Sequence, residues 1–182
     1  QYRFELLSCQ LERRKIMNYK IKDNFLNKAD FNALKKIVLS NELAWYWEKD
    51  INTEPGYDKN SNQSYFVHNL FNAQLDYVYS YYYKNFTVFW KKLGIKSLMR
   101  AKINLYVKTH KIEEHYPHVD FPFEHKGCLF SFNTCDGYIK LEDGTKIESV
   151  ANRALLFEPN KPHSSTSTTN AKGRFNLNLN YF

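Results

Sequence analysis

From Ser97 to Phe182 the chain breaks into short extended runs: "SLMRAKINLYVKT", "EHYPHVD", "GCLFSFN", "GYIKLED", "TKIESV", "RALLFEP", "HSSTST" and "RFNLNLNYF". Turn residues separate them, and Asp143-Gly144 is a tight-hairpin signal. Strands this short and this closely spaced cannot build a parallel α/β sheet, which needs long crossovers. They predict an antiparallel sandwich or barrel. Eight such runs match a jelly roll, two four-stranded sheets folded over one another.

The first half has a different character. "NKADFNALKKIVLSN" places Phe31, Leu34, Ile37 and Val38 at helical spacing, with Asp30 as the expected N-cap. A second helix is predicted over residues 73–93, stopped by Gly94, with Tyr77, Tyr81, Phe86, Phe89 and Trp90 as its packing face. Two strands, "LAWYWEK" and "SYFVHNLF", lie between, joined by a polar loop over 50–63 that is either a connector or a lid. The fold class predicted is α+β, mainly β: a jelly-roll core over 97–182, supported over 17–96 by helices packed on one sheet. Residues 17–182 then form a single domain, and residues 1–16 read as an upstream extension or expression remnant.

Composition narrows the setting. Hydrophobic residues make up 43% and aromatics 17% of 182 residues, enough for a packed core. The net charge of +7 draws the protein toward anions, but its lysines are scattered, and Arg13-Arg14-Lys15 is the one tight basic cluster. Three cysteines, Cys9, Cys128 and Cys135, form no CxxC pair, which fits a reducing, cytoplasmic setting rather than a disulfide framework or zinc ribbon. No apolar run approaches the roughly 20 residues that span a bilayer.

The residues that carry chemistry begin at "EHYPHVD". His118 and Asp120 are two apart, so on an extended segment both point to one face. A chain of this composition carries about 0.26 HxD triplets by chance, so the pair alone is weak. His163 strengthens it: it opens a late strand after "FEPNKP", where Pro159 and Pro162 stiffen the approach. In a jelly roll that separation returns the chain to the same end of the barrel. Two imidazoles and one carboxylate then form the facial triad of non-haem iron oxygenases, with coordination positions left open. Eleven residues after His163 stands Arg174. An iron with three protein ligands needs a two-electron donor to hydroxylate, and 2-oxoglutarate is one. The planar fork of Arg174 matches its distal carboxylate.

On "HVD", "RALLFEPNKPH" and "GRFNLNLNYF", residues 97–182 resemble the double-stranded β-helix core of the Fe(II)/2-oxoglutarate dioxygenase superfamily. The layout, with helices first and a basic residue about ten past the distal histidine, is similar to the compact prolyl 4-hydroxylase-like branch. The resemblance implies Fe(II) on His118, Asp120 and His163, with Arg174 on the 2-oxoglutarate C5 carboxylate. It implies O2 as oxidant, ascorbate as an optional reductant, and hydroxylation of an aliphatic carbon with release of succinate and CO2. The expected acceptor is a prolyl or other residue of a protein or peptide, or a free amino acid, placed under the 50–63 loop near Trp45, Tyr46 and Trp47. On "GCLFSF", Phe130 falls where relatives carry a tyrosine that touches 2-oxoglutarate.

Asn104 and Tyr106 of "INLY", with Asn176 of "RFNL", resemble cosubstrate contacts of the AlkB-type dealkylases and are expected to help hold 2-oxoglutarate. The chain departs from that branch at Asn180, where a second arginine would stand. Nucleic-acid dealkylation and a non-catalytic metal-binding jelly roll remain as alternatives. His110, His115 and His125 match no zinc spacing and read as solvated loop histidines.

Overall fold

The computed structural model describes residues 18–49, 64–75 and 77–182. The expected extension over 1–16, Arg13-Arg14-Lys15, Cys9 and the 50–63 loop lie outside the described residues. Strands β1 (Lys20–Lys22), β2 (Tyr46–Glu48), β3 (Tyr65–Asn72) and β4 (Tyr77–Val78) come from the first half. The second half supplies β5 (Leu98–Val107), β6 (Lys126–Ser131), β7 (Tyr138–Leu141), β8 (Lys146–Glu148), β9 (Arg153–Phe157), β10 (His163–Ser165) and β11 (Gly173–Tyr181). One sheet runs β1-β9-β6-β11-β5-β3-β2, with β4 beside β3; the other runs β10-β7-β8. Every strand pairing is antiparallel.

The jelly roll is there, but its halves are unequal. The four expected strands β9-β6-β11-β5 form the centre of the major sheet, which the first half then widens. In the minor sheet the fourth place is taken by "EHYPHVD", which is not a continuous strand. It touches the 163–166 segment only through isolated bridges, Glu114 with Thr166 and His118 with His163. Pro117 lies between them and has no N–H to donate, so the ladder cannot run through. The β7–β8 hairpin turns at Asp143-Gly144 as expected, with Gly144 at φ 86° and Asp143 Oδ1 accepting from the Thr145 N–H at 2.9 Å.

Helix α1 (Lys28–Val38) starts one turn earlier than predicted. Its N-cap is Asn27, whose side chain accepts from the Asp30 N–H at 2.9 Å and donates to the Asp30 carboxylate at 2.7 Å. Asp30 thus closes a reciprocal cap from inside the helix. The single helix predicted over 73–93 is instead broken into 3-10 turns at Ala73–Leu75 and Tyr81–Phe86, the short strand β4, and α2 (Thr87–Leu93). The break has a local cause. Ser80 caps the second turn through Tyr82 N–H and also bonds His68, which pins the chain there. Tyr77 and Tyr81 are consequently 57% and 93% exposed and do not pack, whereas Phe86 and Phe89 are fully buried. Gly94, at φ 64°, ends α2 as expected.

Side-chain alternation divides the major sheet into two faces. Ala101, Ile103, Cys128, Phe130, Leu177 and Leu179 point outward into a core shared with Leu34 and Val38 of α1 and Phe86 and Phe89. Asn152, in the left-handed region at φ 64°, fastens the entry to α1 by accepting from Leu26 N–H and donating to Leu26 C=O, both at 2.8 Å. A smaller cluster of Leu129, Ile139, Leu141, Ile147, Leu155 and Phe157 fills one end of the space between the sheets. The rest of that space is polar.

Phe130 is the hub of the outer core, within ring contact of Phe25, Phe31, Phe89 and Phe132. Phe130→Ala is expected to cost about 3–5 kcal/mol, the range for a buried phenylalanine that its neighbours cannot replace. Urea unfolding followed by tryptophan fluorescence measures it.

Candidate metal centre and polar cavity

The inner face of the major sheet is built by alternation on two neighbouring strands. On β5 the inward residues are Arg100, Lys102, Asn104 and Tyr106; on β11 they are Asn180, Asn178, Asn176 and Arg174. The register sets Arg100 opposite Asn180, Lys102 opposite Asn178, Asn104 opposite Asn176, and Tyr106 opposite Arg174. Two strands of one sheet thus make a polar grid within the fold.

Facing this grid, the backbone brings two histidines together. His118 N–H donates to His163 C=O and His163 N–H donates to His118 C=O, both at 3.0 Å. The imidazole centroids lie 4.6 Å apart. Asp120 is held by its own N–H on Pro159 C=O at 2.8 Å, and His118 Nε2 lies 4.0 Å from Asp120 Oδ1. One donor atom from each of His118, Asp120 and His163 falls within 4.8 Å of the others, the one such cluster of His, Cys, Asp and Glu among the described residues. His163 Nδ1 is 3.0 Å from Lys161 C=O and donates to it, which leaves Nε2 as the atom available to a metal. The sequence-predicted triad is therefore assembled.

The surroundings keep His118 and Asp120 in the forms that bind a metal. Burial, then the neighbouring His163, depress the His118 imidazole to about 3, so it is neutral and able to ligate at physiological pH. Burial raises the Asp120 carboxyl, but Arg100, His163 and Lys102 outweigh it and hold the group well below the ordinary carboxylate range. The Arg100 guanidinium donates to Asp120 Oδ1 at 2.6 Å, and Asn178 donates to Oδ2 at 3.2 Å. Two imidazoles and one ionised carboxylate suit a divalent transition metal.

A cavity of about 340 Å³ opens onto the triad, walled by Tyr65, Lys102, Asn104, Tyr106 and Ser165. Tyr106 donates its hydroxyl to Ser165 Oγ at 3.1 Å and stacks on Tyr65 at 5.5 Å. Asn104 donates to Asn176 Oδ1 at 3.0 Å, which leaves Asn104 Oδ1 and Asn176 Nδ2 buried without a partner. Arg174 is 1% exposed. It donates to Thr166 C=O at 3.1 Å, and its guanidinium carbon is 5.2 Å from the Tyr106 ring centre. Its Nε is also buried without a partner. Arg174 lies behind Tyr106 rather than in the cavity wall. Gly137 makes room for it, since a Cβ there would come within 2.6 Å of Arg174 Cδ.

Several expectations need correction. Phe130 points to the helices, and Leu129 and Ser131 take the inward places on its strand. Trp45 packs against Phe175 and His68 on the outer face, away from the triad; Tyr46 and Trp47 are 63% and 62% exposed. His115 and His125 are buried, not solvated. His125 bridges Phe123 C=O and Asn180 Oδ1, both at 2.8 Å, so Asn180 serves packing near the end of β11. His115 lies against Tyr106, ring centroids 5.2 Å apart. Arg100 and Lys102 were not foreseen, though "RAKINLY" alternates polar and apolar residues through both.

Searches of protein families and of curated proteins return no match for this chain. Solved structures do match it. A 2OG-Fe(II) oxygenase-family oxidoreductase from Burkholderia pseudomallei superposes with a TM-score of 0.65 at 11% identity, covering 90% of this chain and 84% of that one. A prolyl hydroxylase from Trichoplax adhaerens, in complex with a hypoxia inducible factor peptide fragment, gives 0.62 at 16% identity, covering 92% and 84%. HygX from Streptomyces hygroscopicus, with nickel and 2-oxoglutarate bound, gives 0.60 at 8% identity, covering 91% and 82%. The likeness is one of fold. No helix among the described residues is long and apolar enough to cross a membrane.

Burial and then the nearby Arg174 depress the His115 imidazole from 6.5 to about 4. The unfolded chain binds this proton near pH 6.5 and the folded chain resists it until about pH 4, so stability falls as pH drops through that window. The depression corresponds to about 3 kcal/mol. His115→Gln is expected to flatten the loss between those pH values, read from urea midpoints of both proteins.

Proposed function

We propose that this chain, which has the fold of the 2-oxoglutarate- and Fe(II)-dependent oxygenases, is a hydroxylase of that class acting on an aliphatic carbon. The observation that carries the reading is the convergence of His118, Asp120 and His163 within 4.8 Å, with the buried guanidinium of Arg174 on the same inner face. The donor set fits Fe(II): two imidazoles, a carboxylate kept ionised, and a cavity that leaves room for other ligands. When bound, iron would let O2 take two electrons from 2-oxoglutarate, which becomes succinate and CO2, and two from the substrate, whose C–H becomes C–OH.

In this reading the protein's own work is binding, orientation and exclusion of water. His118, Asp120 and His163 hold the metal, and Arg100 and Asn178 fix the Asp120 carboxylate in one orientation. Arg174 takes the distal carboxylate of 2-oxoglutarate, a contact that requires the Tyr106 ring, which now stands between it and the cavity, to turn aside. Asn176, through the Nδ2 that now lacks a partner, and Tyr106, by turning its hydroxyl from Ser165, supply donors along the length of the cosubstrate. The Tyr65–Tyr106 stack and Leu129 keep the cavity dry on two sides. A prolyl or other peptide residue and a free amino acid both remain acceptors of the right class. Nucleic-acid dealkylation is less well supported, since Asn180 is occupied by His125 and Asn178.

Incubation with Fe(II), ascorbate and 2-oxoglutarate is expected to yield succinate, absent in His118→Ala. Mn(II) with 2-oxoglutarate is expected to raise the melting temperature, because both bind only the folded state. Arg174→Met is expected to weaken 2-oxoglutarate at least about tenfold, the loss of a charge-assisted bidentate contact. Neither succinate nor a thermal shift in the parent protein would favour the non-catalytic module instead.

A further inference from the structure

Lys102 has no function in the reading above. Its ammonium lines the same cavity as the triad. It donates to the Tyr65 hydroxyl at 3.2 Å and lies 5.4 Å from the centre of that ring. Among the described residues no carboxylate comes within ion-pair distance of it. Asp120 and Glu48 act on Lys102 only through space, for Asp120 is taken by Arg100 and Glu48 is exposed. Tyr65 cannot neutralise it either, since burial pushes that phenol up to about 12 and it stays protonated. Burial disfavours the charge on this half-buried lysine, and an anion seated beside it would offset that cost.

The cosubstrate does not meet this demand. In the proposed reading its two carboxylates are satisfied by the metal and by Arg174, along the line of Tyr106, Ser165 and Thr166. Lys102 reaches sideways from that line toward β3, where Tyr65 stands. A divalent metal makes the cavity more positive still. The volume, about 340 Å³, lies at the small end for ligand sites and accommodates a compact molecule beside the cosubstrate.

We propose that Lys102 selects the substrate: a small carboxylic acid whose carboxylate sits on the Lys102 ammonium and accepts from the Tyr65 hydroxyl, while a carbon a few bonds away faces the triad. The inference rests on the proposed hydroxylase reading and narrows its acceptor to acidic small molecules.

The test uses the full chain loaded with Mn(II) and 2-oxoglutarate under argon, with melting temperature as readout. Probes are butanoate, pentanoate and glutarate, against butanamide, pentanamide and butylamine, none of which carries a carboxylate. The acids are expected to raise the melting temperature and the amides and butylamine to leave it unchanged. Lys102→Met should abolish the shift by acids while 2-oxoglutarate affinity stays within about threefold of the parent. Lys102→Glu should transfer the response to butylamine. The proposal is overturned if the loaded parent responds to no acid, or equally to acids and amides. It is also overturned if Lys102→Met weakens 2-oxoglutarate as much as Arg174→Met does, which would place Lys102 in the cosubstrate site. Failure of Mn(II) and 2-oxoglutarate to stabilise the parent at all would sink the hydroxylase reading, and this proposal with it.

Discussion

The site depends on one backbone pairing. His118 and His163 exchange both of their main-chain hydrogen bonds, and this reciprocal pair joins two segments that are otherwise poorly coupled. The 114–118 stretch has no continuous ladder, and β10 has only three residues. Without that pair, Pro117 on one side and Pro162 on the other would leave the two imidazoles on separate loops. With it, their positions follow from strand geometry, because opposed residues of an antiparallel pair present side chains to one face. Asp120 then needs only its own anchor on Pro159 C=O to complete the cluster. The two prolines that precede His163, Pro159 and Pro162, thus limit how far the segment can move away from its partner.

Charge distribution follows from that placement. The inner face carries Arg100, Lys102 and Arg174 against one carboxylate, Asp120. Gathering three cations, one of them fully buried, around a single anion is unfavourable in a protein interior, and more so with a divalent metal added. Anionic ligands completing the interior would offset the excess. Such ligands would also satisfy the unpaired Asn176 Nδ2, whereas Asn104 Oδ1 calls for a donor; both lie near well-satisfied neighbours such as Asn180 and His125. Satisfied polar groups at the end of β11 and unsatisfied ones further along it mark where packing ends and binding begins.

Much of this was legible in the sequence, for physical reasons. Ligand chemistry restricts residue type, so "HVD" and the later His163 stood out. Strand alternation carried Asn104, Tyr106, Arg174 and Asn176 to one face without knowledge of the fold. The same alternation extends two steps upstream to Lys102 and Arg100, and it was not followed there because charged residues on a strand read first as solvated. The N-terminal half was harder. Over residues 73–93 the aromatic spacing mimics a helix, but Ser80 and His68 form a contact across 12 residues that spacing cannot reveal. His125 was misjudged for a similar reason: its partner Asn180 is 55 residues away, so burial depended on a strand pairing not yet known.

The two faces of the major sheet explain how such an interior can be tolerated. Outward residues of β5, β6 and β11 lock into the helices through a nearly continuous aromatic and aliphatic core. That layer contributes stabilisation that does not depend on any ligand. The inward residues of the same strands contribute little burial of apolar surface and several uncompensated groups. Because both faces share one backbone, the outer core fixes the spacing of the inner grid, and the grid cannot relax to satisfy itself by collapse. A jelly roll with two equally apolar faces would be more stable and would have no reason to leave a cavity open. The helical first half is therefore what allows β5 and β11 to keep charged and amide side chains aimed inward at fixed separations, waiting for ligands of matching charge.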